Sequence, residues 1–148
     1  MALHHFILLI HLLAGTVWVG GHLLLSISYL PKALKKKDPQ IILNFEQKFE
    51  TLGMSSLALL IVTGIWMAYD FDVTIETWFD FSSNLEKIIS TKLIMLFCTF
   101  ICVICAQLYF IPNFYKYNIN IMAFIILTIT LIGITMLILG STLRYGGV

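Results

Sequence analysis

Charge is what this chain has least of. Only 11% of its 148 residues are Asp, Glu, Lys or Arg, against 59% hydrophobic, whereas a soluble domain carries roughly 25% charged residues. With a mean hydropathy of +0.95, the composition excludes a soluble domain and specifies an integral membrane protein. The formal net charge of +1 gives no sign of the clustered basic face that nucleic-acid binders present, so no such partner is indicated. Cysteine is scarce as well. Cys98, Cys102 and Cys105 all lie in one apolar run, which excludes a disulfide framework of the secreted kind and leaves reduced thiols. The N-terminus lacks a basic n-region and its apolar run extends about 25 residues, beyond a typical signal-peptide h-region, so the first helix is expected to stay in place.

What is there is membrane-length hydrophobicity. Each span needs about 20 apolar residues, so the chain accommodates four, at about 6–30, 52–69, 91–111 and 119–139. The expected fold is all-α, a single transmembrane domain over residues 1–148, built as a four-helix bundle with short loops. The Ile41, Ile42, Phe45, Phe49 spacing adds an amphipathic surface helix over about 40–50, leading into the second span. Pro31 and Lys32, Lys35, Lys36 and Lys37 mark the exit of the first span, and Pro112 closes the third.

Lys32, Lys35, Lys36, Lys37, Lys48 and Lys116 fall on one side of such a bundle, and Lys87, Lys92 and Arg144 on the other. The positive-inside rule makes the first side cytoplasmic. Both termini and the acidic loop bearing Asp70, Asp72, Glu76, Asp80 and Glu86 then face outward, the periplasmic side of a bacterial inner membrane.

The first span carries every histidine. At helical pitch one face reads His4, Leu8, His11, Gly15, Trp18, His22, Leu25 and Tyr29. An ionisable side chain in hydrocarbon is costly unless it faces protein, water or a ligand, which makes His11 and His22 functional candidates. They stand about 16 Å apart at 1.5 Å per residue, too far to share one ion. Lys92 opens the third span at the level of His11. Because no other helix holds an imidazole, a bis-histidine haem is disfavoured. A partner ligand would come from Lys92, Met54, Met67, Met95, a tyrosine or an open position. His4 and His5, near the acidic loop, suit weak capture of a divalent cation. Cys98, Cys102 and Cys105 follow an i, i+4, i+7 pattern that suits either a soft-ligand ladder for Cu(I) or ordinary helix packing.

The text HLLAGTVWVGG at His11–Gly21 resembles the first-helix motif of the CopD-like copper membrane family, a histidine followed by Trp-x-Gly-Gly. The spacing of His11 and Trp18 is also similar to that of the related HemJ-like protoporphyrinogen oxidases. The likeness extends through FEQKFETLGMSSLALLIVTG and to Lys92, which matches a lysine opening the third helix in both groups; it covers about residues 4–112. HemJ-like chains continue with Leu-Pro-Arg where this one has Leu30, Pro31 and Lys32. The resemblance therefore implies copper handling first, with haem b at His11 as the alternative.

Three functions follow as expectations. In the first, copper is collected by His4, His5 and the acidic loop and passed inward by His11, His22, Met67 and Met95, with a periplasmic copper donor as partner. In the second, His11 is an axial ligand of haem b and Lys92 a second ligand or a propionate partner. Trp18, Tyr29 and Trp66 then line a ring-sized pocket, an electron-transfer partner is implied, and the chain is an oxidoreductase. In the third, a structural accessory subunit uses its histidines only to hold helices together. The lipid bilayer is a partner in each, and a homo-oligomer is compatible with all three.

Overall fold

The computed structural model describes residues 2–79, 81–110 and 119–142, without the side chains of Tyr109 and Phe110. The expectations at Asp80, Pro112, Lys116, Arg144 and the end of the third span lie outside the described residues. Within them the chain is helical: α1 (Ala2–Leu24), a π turn (Leu25–Tyr29), α2 (Leu30–Lys36), α3 (Gln40–Asp70), α4 (Asn84–Cys105), a second π turn (Ala106–Phe110) and α5 (Ile119–Thr142). Four helical stretches are long and apolar enough to cross a membrane. This is a multi-pass membrane protein.

The helices are longer than hydropathy alone predicts, for local reasons. Pro31 does not end the first span. It has no N–H to give and its ring crowds the preceding turn, and the wider π turn just before it absorbs that mismatch while the helix continues to Lys36. Lys37 then takes a left-handed conformation, φ 52°, and the Asp38 N–H bonds back to the Ala33 carbonyl at 3.0 Å, which stops the helix. The surface helix and the second span form one uninterrupted helix, α3. At the head of α4 the Ser83 hydroxyl accepts from the Glu86 N–H at 3.2 Å, and the Glu86 carboxylate accepts from the Ser83 N–H at 3.0 Å. This capping box starts α4 at Asn84, ahead of the expected Thr91.

α1 is the central helix. It packs on both α3 and α5, α5 packs on α4, and α3 and α4 barely touch among the described residues. Buried clusters lie at three levels. Leu25, Leu30, Ile42 and Met122 meet near Pro31, Trp18, Leu57, Val103 and Ile129 at mid-height, and Ala68, Val73 and Ile89 at the His4 end. Hydroxyls inside the helices bond to their own i−4 carbonyls, as Ser56, Thr99 and Thr130 do. This satisfies them where water is absent. The acidic loop is fastened by the Trp78 indole N–H, which donates to the Val73 carbonyl, and by the Phe79 N–H, which donates to the buried Ser90 hydroxyl.

Candidate functional site

The α1 stripe faces α3: His4 and His11 meet polar or small residues there, His22 and Tyr29 meet phenylalanines. At the open end His4 pairs with Asp70 and lies beside Trp66 and Phe71. His5 is exposed. Two turns on, His11 Nδ1 stands 2.7 Å from the Thr63 hydroxyl, and its Cε1 lies 3.4 Å from where a Cβ on Gly64 would be. The small face of α3, which sequence alone assigns to helix approach, is therefore where the imidazole sits.

With the Thr63 hydroxyl proton directed to the Leu59 carbonyl at 2.5 Å, the hydroxyl accepts from His11 Nδ1–H. His22 is fixed in the same way. Its Nδ1 lies 2.9 Å from the Trp18 carbonyl, which can only accept. In both rings Nε2 keeps its lone pair. No buried side-chain nitrogen or oxygen among the described residues lacks a partner, and neither Nε2 is hydrogen-bonded there, so both atoms open onto space rather than packing. Lys92 is half-buried and reaches across to α5 with its Nζ 3.1 Å from the position of a Gly140 Cβ.

Around His22 the rings form a ladder. Trp18 stands 4.4 Å from His22, His22 6.2 Å from Phe49, Phe49 5.4 Å from Phe45, and Phe45 4.8 Å from Tyr29. Phe49 is clasped between two glycines: a Cβ on Gly21 would fall 2.1 Å from its ring, and one on Gly53 2.8 Å. The second glycine of the Trp-x-Gly-Gly motif is thus a slot for an aromatic edge. Trp18, His22, Glu46, Phe49, Glu50 and Met54 border a cavity of about 70 Å³ that opens between α3 and the end of α4. That is room for a few waters or an ion.

Some expected residues do not come together. Trp66 is beside His4, Trp18 is beside His22 and Tyr29 is beside Phe45. Trp18 and His4 are about 21 Å apart along α1, so these three aromatics line no common ring-sized pocket. Met67 and Met95 are half-buried, and neither borders the His22 cavity, which Met54 does. Cys98 is exposed, while Cys102 packs on the mid-height cluster. A second, larger groove of about 500 Å³ between α3 and α4 is walled by apolar residues such as Ile61, Leu93, Phe97 and Phe100 and carries no ligating group. Among the described residues no three His, Cys, Asp or Glu side chains converge as a metal centre. Glu46 is half-buried beside His22, where a sequence reading puts residues 40–50 on the membrane surface; its i, i+3, i+7 register with Phe49 and Gly53 is the signal that turns it toward the bundle, while Glu50 is exposed. Set against known proteins, the chain matches no family model, no curated protein and no solved structure.

Proposed function

We propose that this membrane protein handles copper, binding it between its helices and moving or buffering it across the bilayer. One observation carries the reading. His11 and His22, at two depths on one helix, each have Nδ1–H held by an oxygen acceptor and Nε2 open. A metal-ligating imidazole has this arrangement, since the second-shell acceptor fixes the tautomer and aims the lone pair. The resemblance of His11–Gly21 to the CopD-like motif supports copper as the ion. His4, paired with Asp70 beside the acidic loop, would stand at the collecting end. On this reading the Lys-rich end faces the cytoplasm of a bacterial inner membrane, the His4 end faces the periplasm, and a periplasmic copper donor is the natural partner.

Copper titration of the purified protein in detergent tests this. Wild type is expected to retain copper and the His11→Ala, His22→Ala double variant to lose it; equal binding by both would overturn the reading. If added haem instead gives a Soret band that His11→Ala abolishes, haem b and an oxidoreductase role replace copper. If neither ligand binds, the histidines serve only to join helices, as in an accessory subunit.

A further inference from the structure

One seam of the bundle is left open. α1 packs on α3 and α5, and α5 on α4, but α3 and α4 barely touch among the described residues. Between them runs the groove of about 500 Å³, walled by Ile61 of α3 and by Leu93, Phe97 and Phe100 of α4, with Trp78 and Phe79 at its mouth. The mouth is fastened: the Trp78 indole N–H donates to the Val73 carbonyl, and the Phe79 N–H to the Ser90 hydroxyl on α4. From Leu93 to Phe100 the groove follows α4 for about 10 Å at 1.5 Å per residue, within the ~15 Å depth of one leaflet. Phe97 and Phe100 are exposed, so this cleft opens sideways to hydrocarbon.

The walls select the occupant. Transmembrane helices associate through small residues that let backbones approach, and the small residues of α3 are already engaged: Gly53 holds the Phe49 ring and Gly64 meets His11. Every residue lining the groove is large and apolar. A second helix cannot seat closely there, whereas a flexible hydrocarbon tail can, and the volume lies within the roughly 300–1,000 Å³ of small-ligand sites. The rim adds charge. Lys87 is exposed and pairs with no acid among the described residues, and it stands about two turns nearer the mouth than Ile94, a lining residue, on the same line of α4. Asp72 and Glu76, on the loop that supplies Trp78, are exposed as well. A purely anionic headgroup meets repulsion from these carboxylates, whereas one carrying both a phosphate and an ammonium finds a partner for each.

We propose that the α3–α4 groove holds one acyl chain of a zwitterionic phospholipid, its phosphate on Lys87 and its ammonium toward Asp72 and Glu76. A lipid tail then takes the place of the missing helix contact. The site shares no residue with the histidine stripe, and metal binding neither requires it nor tests it.

The test uses the full chain in nanodiscs containing phosphatidylethanolamine with a diazirine on one acyl chain, irradiated and mapped by peptide mass spectrometry. Adducts should concentrate on Ile61 and the 93–100 segment of α4 rather than on the comparably exposed apolar faces at Leu13 of α1 and Phe124 of α5. Lys87→Gln should lower that yield about 2–5-fold, the size of one exposed ion contact. Ile94→Trp, a larger ring at an exposed position of the groove wall, should reduce it to the level of the other faces, while Phe124→Trp should change nothing. Adducts spread evenly over all exposed faces would refute the site, since ordinary boundary lipid then accounts for them. Groove adducts absent, with disulfide-linked dimers of Phe97→Cys in a chain whose Cys98, Cys102 and Cys105 are replaced by serine, would refute it in favour of a second copy. Phosphatidylglycerol with the same diazirine, labelling the groove as strongly, would overturn the zwitterionic assignment.

Discussion

Gly20 and Gly21 are adjacent in the Trp-x-Gly-Gly motif but do different work. A Cβ on Gly20 meets nothing within 4 Å, whereas one on Gly21 would fall inside the Phe49 ring. Gly21→Ala should therefore destabilise the protein by about 1–3 kcal/mol through overpacking. Gly20→Ala should be neutral, or stabilising by up to about 1 kcal/mol from helix propensity. Thermal unfolding in detergent reads both, and Phe49→Leu should reverse most of the Gly21→Ala loss; an unchanged melting temperature in Gly21→Ala would show that the ring does not occupy the slot. Thr63 makes the second residue-scale prediction. Thr63→Val removes the acceptor of His11 Nδ1–H and should weaken copper binding at His11 about 10–100-fold, as second-shell changes do, while Thr63→Ser retains it. The α1 stripe is legible in the sequence because its spacing alone defines a face. Its partners are not. Nothing local ties position 11 to 63 or 22 to 46; only the packing of α1 on α3 does, and the polar residues of α3 read equally well as close-packing residues or as a solvated surface.

Helix existence is legible from hydropathy, but helix ends depend on short-range chemistry that hydropathy averages away. α4 is the clear instance: Glu86 and Lys87 lower the local hydropathy and push the expected start to Thr91, although Ser83 and Glu86 carry the spacing of a capping box in plain sight. Ser83→Ala should cost about 1 kcal/mol and speed amide exchange in the first turn of α4, leaving α5 unaffected; uniform exchange across both helices would count against a local cap. α3 teaches the complementary point. No proline interrupts Gln40–Asp70, so amphipathic start and apolar span join into one rod of about 46 Å, longer than the roughly 30 Å hydrocarbon core.

At the scale of the molecule, the two polar ends are not equivalent. One end has His4, Asp70 and an exposed acidic loop; the other has the exposed Lys32, Lys35, Lys36 and Lys37. The proposed orientation puts the lysine end in the cytoplasm because short basic loops resist translocation. Single cysteines at Asp38 and Glu76, in a chain whose Cys98, Cys102 and Cys105 are replaced by serine, test this with a membrane-impermeant maleimide. Glu76→Cys should react in intact cells and Asp38→Cys only after permeabilisation. The opposite pattern would put the lysine end outside and reverse the proposed orientation. The His11 and His22 arrangement would be untouched by that reversal, since imidazole geometry is set by Thr63 and Trp18 and not by which leaflet each faces.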